Sequence, residues 1–349
     1  MVNESDSTLS PPVMRSPKKG KSAAKPRTEA VAKPPASIGL IERSVFHEHW
    51  WLDAATGGDW ELALVKNGDE VIGEMPYTLK KKGPWQVSML PPLTRTLGPV
   101  IKPKPKGAGE QEWCHRLSVA KELTSQIQHC ASFHQMMDPR ISEAEAIAFS
   151  LQGFNVSVSY TLKMSPGTDE SDVWTGLRRN TRNWIRRAAE RLTVQEIPDA
   201  DVFVDFYDSN LTTRKRTNEY GSATMRRVLM EVVRRKAGVL LGAYGEDGSL
   251  AAATALVWDN SIVYYLLSSR RIDAHGGAVS LLLWHAMRAA RERNLVFDFD
   301  GVSNAGILEF LGGFGGELVQ RFEVWRTRRD YAALRTVLRG ARAVLSSPE

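Results

Sequence analysis

Five consecutive residues, Phe297-Asp298-Phe299-Asp300-Gly301, carry the clearest chemistry in this chain of 349 residues. Side chains alternate across a strand, so the two phenylalanines take one face and the two carboxylates the other. A carboxylate at a strand end beside a cleft can serve as a general base, a role worth about 10²–10⁴-fold in rate. It can equally start the turn at Gly301. Asp300 and Asp298 are the candidate catalytic pair. A second segment precedes them: Ser268-Ser269-Arg270-Arg271-Ile272-Asp273-Ala274-His275-Gly276-Gly277-Ala278. Two arginines, two glycines and a helix start suit a phosphate, because a helix N-terminus offers free N–H groups and a partial positive charge. Arg270, Arg271, His275, Gly276, Gly277 and, in the first helical turn, Ser280 are therefore candidates for holding a phosphorylated donor. A helix cap with a flexible loop would use the same residues.

Other chemistries find little support. There is no P-loop and no G-x-S-x-G. Gly242, Gly245 and Gly248 have the wrong spacing for a dinucleotide loop. His47 and His49 alternate without a Cys/His set at metal spacing, so no metal is expected. Cys114 and Cys130 form no framework, which fits a reducing compartment. No apolar run approaches the ~20 residues of a membrane span. The basic N-terminus lacks the apolar stretch of a secretory signal, and a cytoplasmic location is expected. The net charge of +6 sits at the ends. Residues 1–36 hold seven Lys/Arg against three acids, and residues 326–349 six Arg against two acids, which leaves a slightly acidic body. That argues against DNA as a partner, and against RNA held by the tail and an arginine-rich helix.

The elements that must position these residues come in two sets. In the first half, helical spacing at Phe46, Trp50, Trp51 and Ala54 precedes strands at 61–65 and 70–79 around Asn67-Gly68, and a strand at 85–90. A Pro-rich stretch at 91–107 follows, then a helix (111–129), a strand (133–137), a helix (142–151) and a strand (155–164). The second half repeats the order: a helix from Ser222, strands at 239–244 and 250–258 around Asp247-Gly248, a strand at 262–268, a helix at 278–293, a strand at 295–299, a helix at 305–311 and a strand at 317–326. A shift of 160 positions brings Ile147 onto Ile307, Leu151 onto Leu311, Gly153 onto Gly313, Phe154 onto Phe314 and Asp138 onto Asp298. In that alignment Arg140 faces Asp300, so the second carboxylate belongs to the second half alone. Helices at 172–192 and 201–216 join the halves; the first is rich in arginine.

This order is that of a GNAT acyltransferase, in which the strands before and after the long helix splay apart to admit the acyl donor. Arg182-x-x-Ile185-x-x-Ala188, a Phe-Tyr helix ending Arg214-Lys215-Arg216, Phe297-Asp298-Phe299-Asp300-Gly301 and Phe310-x-x-x-Phe314-Gly315-Gly316 together resemble the Fem-type tandem GNAT family. Pro91-Pro92-Leu93-Thr94-x-Thr96-Leu97-Gly98-Pro99 is similar to a motif of its uncharacterised acyltransferase members. The resemblance spans about residues 38–326. It implies an α+β (α/β mixed) fold of two tandem GNAT-like domains, each a mostly antiparallel mixed sheet flanked by helices. The expected division is a disordered basic tail (1–36), an N-terminal domain (37–165), a C-terminal domain with the donor cleft (166–326) and a C-terminal amphipathic helix (327–349).

The activity implied is transfer of an acyl or aminoacyl group from a thioester or ester onto an amine or hydroxyl of a cell-wall, polysaccharide or related acceptor. Arg182, Arg186, Lys215 and Tyr220 are the implied acceptor contacts. Asp273 stands where the GNAT pattern [QR]-x-x-G-x-[GA] has Gln or Arg, which weighs against coenzyme A. The lack of a long coiled-coil arm weighs against aminoacyl-tRNA, and acyl-CoA is the expected co-substrate. The acceptor is expected to be a small molecule or lipid-linked, with the C-terminal helix able to touch an anionic membrane. A non-catalytic GNAT-like scaffold is the competing expectation.

Overall fold

The computed structural model describes residues 43–104, 111–166, 169–301, 304–333 and 335–336. The expected N-terminal tail and most of the expected C-terminal helix lie outside the described residues. The first half runs from a 3-10 turn (Val45–His47) into α1 (His49–Thr56) and the hairpin β1 (Trp60–Asn67) and β2 (Glu70–Thr78). The hairpin turns at Gly68, whose φ of 62° is the left-handed conformation the tight turn requires. Then come β3 (Lys80–Lys82), β4 (Trp85–Ser88), β5 (Val100–Ile101), α2 (Glu112–Gln126), β6 (Ser132–Met136), α3 (Glu143–Leu151) and β7 (Asn155–Met164). The joining segment forms α4 (Glu170–Gly176), α5 (Arg179–Ala189), β8 (Leu192–Glu196) and α6 (Ala200–Thr213). The second half comprises α7 (Ser222–Arg234), β9 (Gly238–Gly245), β10 (Leu250–Trp258), β11 (Ile262–Arg270), α8 (Ala278–Glu292), β12 (Val296–Gly301), α9 (Ala305–Leu311), a 3-10 turn (Gly312–Phe314) and β13 (Glu317–Thr327).

Ten of these strands form one mixed sheet in the order β3-β4-β6-β13-β7-β12-β11-β10-β9-β8. Only β4–β6 and β11–β12 pair in parallel among its ladders. The last strand of each half lies inside the other's territory. β7 pairs with β12 of the second half, β13 with β6 of the first, and β7 and β13 pair with each other from Asn155↔Trp325 to Lys163↔Glu317. The described residues accordingly make one compact unit, through which the sheet runs across the expected division at 165/166.

Two expectations need correction. The first half's three expected strands do not share one sheet: β1 and β2 form a separate three-stranded sheet with β5, while β4 joins the large one. The Pro-rich stretch supplies β5, and its segment from Pro91 to Gly98 packs back on the body, with Trp51 donating to Thr94 Oγ1 and Leu97 bridging Met137. The expected helix 172–192 is broken. Leu177 and Arg178 are extended, and Leu192 already belongs to β8, which pairs with β9. Ile185, Ala188 and Leu192 continue a helical period that the chain abandons in favour of an edge strand.

Packing follows from the apolar stripes. The first 3-10 turn, α1, α6 and α7 cover one face of β9–β11 with Phe46, Trp51, Phe203, Met225 and Leu229, whereas α5 and α8 cover the other with Ile185, Leu282 and Leu283, packed with Phe297 and Phe299 of β12. A third core in the first half centres on Phe133, Phe149 and Phe154, whose ring centroids lie 5.3–6.1 Å apart. Phe149→Ala removes a fully buried ring at this centre. It should destabilise the protein by about 3–5 kcal/mol, read as a lowered urea midpoint.

Candidate functional site

β11 and β12 pair in parallel at only three positions, Ile262↔Val296, Val263↔Phe297 and Tyr264↔Asp298. β11 then continues with β10 as far as Ala252↔Arg270, so beyond Tyr264 and Asp298 the strands part. Phe297 and Phe299 are buried against α8 with ring centroids 4.7 Å apart, and Asp298 faces the other way, as alternation requires. Alternation fails at Asp300. The β12–β7 register slips between Asp298 and Gly301, and Asp300 has φ 79°, a left-handed conformation that costs a non-glycine residue energy. The bulge turns its carboxylate into a cavity of about 560 Å³ lined from both halves.

Two guanidinium groups flank that carboxylate. Arg95 Nη1 lies 2.9 Å from Asp300 Oδ2, and Arg321 Nη1 lies 3.8 Å from Oδ1. Arg321 also lies across Gly301, where a Cβ would stand 1.8 Å from Nη2, so this position cannot carry a side chain as the site stands. Burial opposes the charge on Arg95, but Asp300 and Tyr220 outweigh it and its pKa is raised. Burial dominates at Arg321, whose pKa is lowered. The Nε atoms of both arginines are buried and have no hydrogen-bond partner among the described residues. Tyr265, with its hydroxyl bonded to Ser268, lines the same cavity, and burial raises its pKa. On the far wall His134 Nε2 lies 2.7 Å from Glu323 Oε1.

Asp298 has a different part. It is buried, accepts from Thr161 Oγ1 and from the backbone N–H of Asp300, and lies 3.5 Å from Lys163 Nζ. Burial raises its pKa despite these partners. It therefore anchors the bulge that aims Asp300. Its repeat counterpart Asp138 is gripped by Arg140 through Nε at 2.9 Å and Nη2 at 3.0 Å, which outweighs burial and pushes it down to about 2.

The loop before α8 is largely occupied with itself. Arg271 and Asp273 form a two-pronged pair at 2.9 and 3.0 Å, so the unexpected aspartate neutralises the adjacent arginine. Arg270 Nη1 donates to the Ala274 carbonyl at 2.6 Å, and His275 Nδ1 accepts the Gly277 N–H at 3.1 Å. Burial and neighbouring arginines lower the His275 pKa, in keeping with that acceptor role. Gly277 has a packing role besides: a Cβ there would meet the Trp184 carbonyl at 2.4 Å, and one at Gly276 would touch the Trp184 ring at 3.2 Å. A cavity of about 390 Å³ opens beside this helix start, lined by Gly276, Ser280, Arg178, Arg179 and Phe310 among others.

The four implied acceptor residues divide. Tyr220 lies near Arg95, a lining residue of the cavity, and favours its charge, but does not itself line the cavity. Arg182 Nη1 instead donates to the Thr175 and Leu177 carbonyls at 2.6 and 2.9 Å, closing the C-terminal end of α4. The Arg186 guanidinium lies 5.3 Å from the centroid of the Trp174 ring. Lys215 is exposed just past α6. Arg95, Arg178, Arg179 and Arg321 are the cavity cations absent from the sequence-based set. Arg95 occupies the unspecified position of the Pro91–Pro99 motif, and Arg178 and Arg179 head the basic helix; nothing in its local sequence marks Arg321. Among the described residues no group of three or more His, Cys, Asp or Glu is placed to hold a metal. None of the described helices is long and apolar enough to cross a membrane.

Residues 176–306 match the family model described as Acetyltransferase (GNAT) domain. No curated protein matches the sequence. The fold is similar to that of FemX, at 13% identity and a TM-score of 0.59 over 80% of this chain and 91% of that one. It is also similar to a conserved protein of unknown function from Bacteroides thetaiotaomicron, at 11% identity and a TM-score of 0.51 over 79% and 87%. A tandem GNAT protein from the clavulanic acid biosynthesis pathway aligns at 11% identity and a TM-score of 0.48 over 79% and 86%.

Two outcomes follow from the geometry. Because the folded-state pKa of Asp298 is raised, the fold binds its proton more tightly than the unfolded chain does. The associated stability is present below the ordinary carboxylate pKa of about 4 and is lost as pH rises through the folded value. Asp298→Asn keeps the acceptor oxygen and should flatten that part of the urea-midpoint profile; an unaltered slope above about pH 4 would refute the assignment. Gly277→Ala forces α5 away from α8 and should lower stability by about 1–3 kcal/mol in thermal unfolding.

Proposed function

We propose that this chain, whose residues 176–306 match a GNAT acetyltransferase domain model and whose fold is similar to that of FemX, moves an acyl group from acyl-CoA onto the amine or hydroxyl of a polar acceptor held against Asp300. The observation that carries this reading is the parting of β11 and β12 beside the cavity that Asp300 enters. The donor phosphates lie by Arg178, Arg179 and the start of α8, and the thioester reaches through the parted strands. The acceptor occupies the cavity walled by Arg95, His134, Asp300, Arg321 and Glu323. Such a polar lining suits a sugar- or peptide-like molecule of the cell-wall or polysaccharide class.

In the transfer, the acceptor lone pair attacks the thioester carbonyl. A C–N or C–O bond forms, the C–S bond breaks, and the acceptor proton passes by way of the Asp300 carboxylate to the leaving thiolate. Arg95 and Arg321 hold that carboxylate in place. Arg95, Tyr265 and Arg321 bring groups from three separate segments to the same cavity, which supports a site built for orientation. The compact cavity beside the helix start favours a thioester donor over aminoacyl-tRNA.

Asp300→Asn should lower turnover by about 10²-fold or more while CoA affinity by titration calorimetry stays unchanged. Replacing Arg178 and Arg179 together by Met should do the reverse, weakening CoA with little effect on turnover at saturating donor. Full turnover in a folded Asp300→Asn protein would end the assignment.

A further inference from the structure

The larger cavity lies at the parted strands and the smaller at the start of α8, and one residue, Phe310, lines both. It sits on α9 and is 40% exposed, although it is a large aromatic residue of the second half. Its ring packs edge-on against Phe314 at 5.6 Å between centroids. Phe314 meets Phe299 at 5.9 Å, and Phe299 meets Phe297 at 4.7 Å. The four rings form a ladder that ties α9 to β12, the strand whose departure from β11 opens the gap. α9 itself starts on a cap in which Asn304 Oδ1 accepts the Ile307 N–H at 2.9 Å.

The linings of the two cavities differ in a way that gives Phe310 a task. The smaller one holds Arg178, Arg179 and the α8 start. The larger one is polar toward Arg95, Asp300, Arg321 and His134, but apolar along α9, where Ile307, Phe310 and Leu311 stand with Phe299. An acyl chain that passes from the first cavity toward Asp300 must cross Phe310 and then lie on this apolar wall. We infer that Phe310 is the partition between donor and acceptor cavities and limits the acyl group to a short chain. This rests on the acyl-CoA reading above. The ring occupies the path that each added methylene would need, and each methylene buried there would otherwise strengthen binding.

Titration calorimetry of the full chain with CoA and with acetyl-, butyryl-, hexanoyl- and octanoyl-CoA tests this. The wild type should bind acetyl-CoA best and lose affinity as the chain lengthens. Phe310→Ala should bind hexanoyl-CoA about tenfold more tightly than the wild type does, with CoA itself changed by less than about twofold. Phe310→Leu, which keeps an apolar side chain on the ladder, should shift the preference less far in the same direction and covers the case in which alanine unseats α9. If both folded variants keep the wild-type length profile, the inference is overturned while the donor reading stands. If the wild type binds none of these thioesters, the donor reading falls and the inference with it.

Discussion

The structure depends on the ladder between β7 and β13. Backbone N–H and C=O groups inside a sheet must be paired, and neither half of this chain pairs its own last strand with its own preceding strand. β7 completes the second half and β13 the first, and the ladder from Asn155↔Trp325 to Lys163↔Glu317 joins them. The site follows from that exchange. β13 delivers Arg321 to Asp300, β7 delivers Thr161 and Lys163 to Asp298, and β6 brings His134 to Glu323. A half expressed alone would leave an open sheet edge where the other half's last strand belongs.

Charge placement distinguishes the two halves more sharply than topology does. In the first, Asp138 is enclosed by Arg140 and its carboxylate is committed to that pair. In the second, the position of Arg140 is taken by Asp300, and the cations come from remote segments: Arg95 from the Pro-rich stretch and Arg321 from the last strand. The same backbone frame thus holds a closed ion pair in one half and, in the other, a carboxylate turned into a cavity. Asp298 supports this arrangement by receiving the Asp300 N–H across the bulge.

The joining helices are part of the site. α5 lies so close to the start of α8 that Gly277 admits no side chain, and the arginines of α5 divide by position. Arg182 and Arg186 secure α4, whereas Arg178 and Arg179, at the helix start, face the smaller cavity. A basic helix is therefore an incomplete guide to binding: carbonyl groups at a neighbouring helix end and an aromatic face compete for the same guanidinium groups.

The element order, the hairpin turns at Gly68 and Gly248, and the burial of Phe297 and Phe299 were legible in the sequence, because local periodicity and turn chemistry act over a few residues. So was the prominence of Asp300, which stands where its repeat partner is an arginine. Tertiary structure decided the rest. That β7 and β13 trade places depends on hydrogen bonds between segments more than 150 residues apart in sequence, which no local pattern records. The break of the joining helix at Leu177 and its end before Leu192 depend on the free edge of β9 and on Arg182 meeting the α4 carbonyls. Arg95 stands at the one unspecified position of the Pro91–Pro99 motif, and Arg321 is a single arginine in unremarkable surroundings. Only the folded chain, by closing both onto one carboxylate, gives them a role, since ion pairing acts through space and leaves no period in the sequence.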